Sequence, residues 1–141
     1  MLVNRSMPPG IIIPELTYPD VAVAADWLCR AFGFRERLRI GGHRAQLVFE
    51  GASIVVTRGD EAQKTANHAH AMMVHVHDVA RHYAQAVECG ANIIEPPMDQ
   101  SYGERQYTVV DIGGHRWIFS QSIADVDPAD WGGNLLSLSQ A

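Results

Sequence analysis

One pattern occurs twice in this chain and limits its fold more than any other feature. Asp20 opens a run in which Ala24, Trp27, Leu28, Ala31 and Phe32 recur at helical spacing, and Gly33 closes it. Asp78 opens a second run, with Val79, Tyr83, Ala86 and Val87 on one face, and Gly90 closes that one. The two Asp-to-Gly intervals are 13 and 12 residues, and each follows one strand-like segment and precedes three more. The first strand is expected over residues 10–18, with Ile11, Ile13 and Glu15 on one face. Pro14 has no N–H to give a ladder and puts that strand at an edge or a bulge. Strands are expected next at 35–40, 44–50 and 52–58, separated by Gly41, Gly42 and Gly51. The second set falls at 70–77, 92–95, 105–112 and 115–121, the last two joined by a turn at Gly113 and Gly114. One helix on four curled strands cannot bury both faces of its sheet, so two βαβββ modules must pack together.

The expected organisation is α+β. It comprises a first module over 10–58, a polar linker over 59–69, a second module over 70–121 and a tail over 122–141. Residues 1–9, ending in Pro8 and Pro9, are expected to be a loosely held leader. At 141 residues and 47% hydrophobic, the chain closes one modest core or two small halves sharing one. The formal charge of −5 is spread along it with no basic run, which argues against nucleic acid and suits a cationic ligand. No apolar run approaches the ~20 residues that span a bilayer, and the first ten residues lack the hydrophobic middle of a signal peptide. The expectation is a cytoplasmic protein with no membrane partner. Cys29 and Cys89 lie late in the two helices without CxxC spacing, which favours neither a zinc knuckle nor a disulfide framework.

The repeat, the GG-H-R-W turn after Asp111 and the YGER segment before the seventh strand together resemble the vicinal-oxygen-chelate superfamily. That superfamily holds glyoxalase I, extradiol dioxygenases and bleomycin-resistance proteins. The resemblance covers residues 10–121, and the DPADWGG tail is similar to those of bacterial members of the non-metal, bleomycin-resistance-like branch. It implies two curled mixed sheets around a concave cleft, with the helices on the convex side. It also implies modules paired within or between chains, hence an expected homodimer. Trp131 in the tail is expected to pack back on the sheet or on a partner subunit.

With the cleft opposite the helices, strand alternation selects the residues that face it. Met72, Val74 and Val76 are expected on the helix side, leaving Ala71, Met73, His75 and His77 for the cleft. Trp117 and Phe119 are assigned to the core, and Arg116, Ile118 and Ser120 to the other face. Ser53, Val55 and Thr57 oppose the core residues Ile54 and Val56, and Gln46, Val48 and Glu50 oppose Leu47 and Phe49. Arg105 and Tyr107 follow the MDQSYG loop and are expected to grip a ligand, the arginine through its planar fork and the loop as a lid.

Metal-using members resemble one another in placing His or Glu on the first and last strand of each module. Those positions carry over to Ile13, Val55, Ala71 and Ile118, none of which binds a metal, so neither metal nor cofactor is expected. A rival set takes His75 and His77, two apart on one strand, with Glu15 or Glu50 as a third ligand. There is no GxSxG nucleophile and no glycine-rich phosphate loop after a strand, and His115 is expected to be a turn-packing residue. The expected function is metal-free binding of a small organic molecule, cationic or aromatic, in the manner of drug sequestration. The expected lining is Glu15, Gln46, Val48, Val55, Met73, His75, Arg105, Tyr107 and Ile118. Two alternatives stand beside it: a metal-dependent lyase, isomerase or dioxygenase of the same superfamily, and a module that recognises a protein.

Overall fold

The computed structural model describes residues 2–59 and 70–136. All of the expected linker but Gly59, with the last five residues of the tail, lies outside the described residues. The first module runs β1 (Glu15–Tyr18), α1 (Val21–Phe32), β2 (Arg35–Ile40), β3 (Arg44–Phe49) and β4 (Ala52–Arg58). The second runs β5 (Met72–His75), α2 (Val79–Glu88), β6 (Asn92–Asp99), β7 (Glu104–Val110) and β8 (Arg116–Ser122), followed by a 3-10 turn at Pro128–Trp131. Each module makes a four-stranded mixed sheet, ordered β1-β4-β3-β2 and β5-β8-β7-β6. In both, the first strand lies parallel to the last and the other pairings are antiparallel. This is the expected α+β fold of two βαβββ modules. No helix among the described residues is long and apolar enough to cross a membrane.

The helices form where their caps permit. The Asp20 carboxylate accepts the Val23 N–H at 3.1 Å, and Gly33, at φ 86°, returns its own N–H to the Cys29 carbonyl. All five expected apolar residues of α1 are buried. In α2 the Asp78 carboxylate accepts the Arg81 N–H and Ala86 is buried, but Val87 is exposed and His82 turns inward.

Several strands differ from expectation for backbone reasons. The first begins at Glu15 rather than residue 10, just after Pro14, whose carbonyl still accepts the Val55 N–H. β5 stops at His75, so His77 is not on the strand. β6 reaches Asp99, beyond the expected end, with irregular pairing between Ile93 and Met98 where Pro96 and Pro97 have no N–H to donate. β2 carries a bulge: Glu36 opposes Leu47 and Leu38 opposes Gln46, leaving Arg37 as the extra residue.

The helix-side faces of the two sheets share one core. Phe32 at the end of α1 lies 5.4 Å from the Trp117 ring and 4.8 Å from Phe119, both on the second sheet. Phe34 bridges Phe49 of the first sheet and Trp117 of the second. A polar tie accompanies this. The buried Asp111 carboxylate accepts the Tyr18 hydroxyl at 2.6 Å, the Trp117 indole N–H at 2.9 Å and the N–H groups of Gly113 and His115. Burial, and then the Asp111 charge, push the Tyr18 hydroxyl well above its usual pKa. His115 is indeed a packing residue, its Nε2 donating to the Thr17 carbonyl at 2.8 Å and its ring 4.8 Å from that of Tyr18. A side chain at Gly113 would come within 2.3 Å of the Tyr18 ring, so only glycine lets the turn close here.

Asp111→Ala strands the Tyr18 hydroxyl and the Trp117 N–H in the core. Unfolding in urea is expected to show a loss of about 3 kcal/mol or more, at roughly 1–3 kcal/mol for each buried unpaired group. Gly113→Ala is expected to destabilise as well, through the clash with Tyr18.

Candidate functional site

Both helix-side faces look into the shared core, so the two opposite faces look away from it. On the second sheet this outer face carries Met73 and His75 from β5, Ile118, Ser120 and Ser122 from β8, and Glu104, Gln106 and Thr108 from β7. Met98 of β6 pairs with Gln106 and completes a row with Ser120 and His75.

Glu104 is the polar centre of this face. Its carboxylate accepts the Ser120 and Ser122 hydroxyls, each at 2.5 Å, and lies 3.9 Å from the His75 ring. Burial pushes its pKa up, but the two serine bonds and the neighbouring His75 outweigh this and hold it below the usual glutamate value. Gln106 donates to Ser120 Oγ at 3.0 Å and accepts the Tyr102 hydroxyl at 2.8 Å. The Tyr102 ring in turn meets Trp131 of the tail at 5.2 Å. The face therefore joins a shielded carboxylate, an aromatic pair and two exposed methionines.

The outer face of the first sheet sets Glu15 and Gln46 on either side of Val55, and Val48 opposite Ser53. Glu15 is paired with Arg44 at 3.3 Å. Gln46, Ser53 and Val55 are each no more than 4% exposed, although they face away from the helices. They are covered by the leader. Arg37 donates to the Arg5 carbonyl at 2.7 Å, Gln46 donates to the Ser6 carbonyl at 2.9 Å, and Pro8 is buried. The leader is thus pinned, not loosely held. Between the two modules, Ile12, Pro14, Ser53, Met72, Met73 and Trp117 line an apolar pocket of about 210 Å³.

Arg105 and Tyr107 are on the wrong side for the expected role. Tyr107 pairs with Phe119 and is fully buried, and its hydroxyl donates to His82 Nδ1 at 2.6 Å. His82 Nε2 donates to the Phe32 carbonyl at 2.9 Å. Arg105 shares that parity and forks onto Asp99 at 2.6 and 3.2 Å. The apolar Val109, two residues beyond Tyr107, was the sequence signal for this orientation. By the same alternation Glu104, Gln106 and Thr108 face outward, and Tyr102 and Glu104 both lie in the YGER segment. A further hollow of about 510 Å³ lies between the ends of α1 and α2, where Arg30, Asp78, Arg81 and Glu88 put both signs of charge around it.

The family model described as Glyoxalase/Bleomycin resistance protein/Dioxygenase superfamily matches residues 10–119. The chain belongs to this superfamily. Among solved structures, TioX from Micromonospora sp. ML1 is 36% identical with a TM-score of 0.65, over 79% of this chain and 97% of that one. The fosfomycin resistance protein FosX from Listeria monocytogenes shares the fold at 16% identity and a TM-score of 0.67, over 82% of this chain and 94% of that one. An uncharacterised protein of Mycobacterium bovis is 27% identical over 128 residues, covering 81% of this chain and 84% of its own.

Metal-using members of the superfamily need converging donors, and the strand register tests that here. Val55 neighbours Glu15 rather than Ile13, and Ile118 neighbours Met73 rather than Ala71. Of Glu15, Val55, Met73 and Ile118, only Glu15 offers a hard donor, and it is already paired with Arg44. This set does not fit a divalent ion. The histidine set does not converge either, because β5 ends at His75: His75 approaches Glu104, whereas His77 approaches Glu50 at 3.4 Å. Among the described residues no three His, Cys, Asp or Glu side chains come together.

Burial keeps the His82 pKa below its ordinary value, with the Phe32 carbonyl opposing this. As the pH falls through about 6.5 the unfolded chain takes up a proton that the folded chain refuses. Stability therefore drops with falling pH over that window, until the folded imidazole itself protonates. Urea unfolding at pH 7 and pH 5 is expected to show a smaller difference for His82→Gln than for the wild type.

Proposed function

We propose that this protein binds a small organic cation with an aromatic or apolar body and holds it unchanged, in a cleft closed by two copies of the chain. The observation that carries this reading is Glu104. It is a carboxylate with its side chain 17% exposed, its pKa held down by two serines, and it is linked through Ser120 and Gln106 to the Tyr102 hydroxyl, whose ring meets Trp131. A carboxylate with aromatic faces nearby can accept from and stack on a protonated amine. Met73, Ile118 and Met98 offer the apolar wall that gives such a site its affinity.

The orientation of the sheets supports the two-copy cleft. The expected lining residues fall on two outer faces, Glu15, Gln46, Val48 and Val55 on one and Met73, His75 and Ile118 on the other, and both faces look away from the shared core. Large apolar side chains are also left in solvent beside them, with Ile11 91%, Ile12 84% and Met73 59% exposed. A second copy, setting its first sheet against the second sheet of the other, covers these side chains and walls the cleft on both sides.

The test is a titration with ethidium, a cationic aromatic, beside an uncharged aromatic of similar size, followed by dye anisotropy and tryptophan fluorescence. Glu104→Gln is expected to weaken ethidium about tenfold or more, in line with roughly 1.5–3 kcal/mol for a hydrogen bond to a charged group, and to leave the uncharged probe unchanged. Equal binding by wild type and variant removes Glu104 from the site. Sedimentation is expected to give twice the 15.5 kDa chain mass, and a monomer at every concentration removes the shared cleft.

A further inference from the structure

The outer face of the first sheet already has an occupant, the chain's own leader, and the way it is held identifies what else fits there. Asn4 to Met7 forms a tight turn, in which the Met7 N–H donates to the Asn4 carbonyl at 3.1 Å and the Ser6 N–H to Asn4 Oδ1 at 3.0 Å. The carbonyls of the two central residues, Arg5 and Ser6, turn to the sheet. Arg37 Nη2 donates to the first at 2.7 Å and Gln46 Nε2 to the second at 2.9 Å. The other arm of Arg37, Nη1, donates to Gln46 Oε1 at 2.6 Å. That bond fixes the Gln46 amide with its N–H side toward the leader.

Two features of the fold build this fork. The β2 bulge inserts Arg37 beside Gln46, and Gln46 is 4% exposed beneath the leader, so its donors meet the occupant rather than water. The fork bonds backbone carbonyls only. Leu2, Val3 and Met7 of the leader stay 93%, 88% and 56% exposed. Beside it lies a hollow of about 370 Å³ bounded by Pro9, Arg35, Glu36, Arg37, Val48 and Glu50, which the leader leaves unfilled. On the same face, next to Gly10, the buried Ser53 hydroxyl has no hydrogen-bond partner among the described residues.

We propose that Arg37 and Gln46 form a binding site for a small peptidic molecule that presents two successive carbonyls from a tight turn, and that the leader is its built-in competitor. This rests on the reading that ligands sit on the faces away from the helices, and it names the ligand class for the first-sheet half. The tethered leader holds the site at a high effective concentration, so a ligand binds with its affinity divided down by the fraction of chains left open. A peptidic ligand wins by adding contacts the leader lacks, in the 370 Å³ hollow and at Ser53.

The test uses the full chain and a fluorescent peptide carrying the sequence of residues 2–10, read by anisotropy. Pro8→Asp puts a charge where Pro8 is buried and releases the chain's own leader with the fork intact. It is expected to bind the peptide at least tenfold more tightly than the wild type, and adding Arg37→Met is expected to abolish that gain. Asn4→Ala, at an exposed position, is expected to act in the same direction more weakly and covers the case in which Pro8→Asp folds poorly. Trypsin, followed by mass spectrometry, is expected to cut after Arg5 faster in Pro8→Asp and in Arg37→Met than in the wild type. Peptide binding that survives Arg37→Met overturns the proposal, as does equal binding by the wild type and by both leader variants. A wild-type dimer that dissociates on Pro8→Asp means leaders exchanged between copies, and overturns it too. Ethidium binding at Glu104 is read separately on the same variants, so loss of one site does not imply loss of the other.

Discussion

The Asp111 carboxylate is the joint on which the two modules hang. A buried carboxylate is tolerated only when its oxygens are fully bonded, and here four donors converge on it. Two come from its own turn, one from Trp117 on the strand that follows, and one from Tyr18 on the first strand of the other module. Each partner is then fixed in turn. Tyr18 lies against Gly113 and His115, and Trp117 lies within reach of Phe32 and Phe34. The aromatic cluster packs both modules into one core, but burial has no direction. The Tyr18 to Asp111 bond sets which edge of one sheet lies beside which turn of the other, and so sets which faces look outward.

The sequence made the repeat legible because it is written in the strongest local signals: an aspartate cap, a helical apolar face and a glycine stop, twice over. Alternation also placed most side chains correctly along β3, β4, β5 and β8, where apolar and other residues separate by parity. It was less safe on β7, where Glu104, Gln106 and Thr108 are polar and the intervening set mixes Arg105 with Tyr107 and Val109. Taking position after a loop as the guide put Arg105 and Tyr107 on the ligand side, whereas Val109 belongs with Trp117 and Phe119 in the core. The leader was illegible for a different reason. It is held through backbone carbonyls, which carry no residue code, by side chains about 30 to 40 positions away, one of them turned onto the face by a bulge that no local pattern announces.

The two outer faces are built to different ends although the modules repeat one plan. On the second, a partly exposed carboxylate is held by two serine hydroxyls beside a histidine ring. On the first, the equivalent surface is roofed by the chain itself, and the groups that meet the roof, Arg37 and Gln46, are donors. Superfamily membership fixes the scaffold that holds these surfaces, and the chemistry of each lies in the few side chains that differ between its halves.

The wall of the open face has a further property. Met73 and Met98 are 59% and 56% exposed there, and an unbranched thioether changes shape at little cost. A surface of this kind re-forms around molecules of different outline, so selection acting on it yields breadth rather than a single fit. The same sulfur atoms stand where dissolved oxidants reach them, and a sulfoxide turns a soft apolar contact into a rigid dipole. Oxidation of a single chain therefore reaches Met73, Met98 and the equally exposed Met7 long before it touches the core that holds the fold.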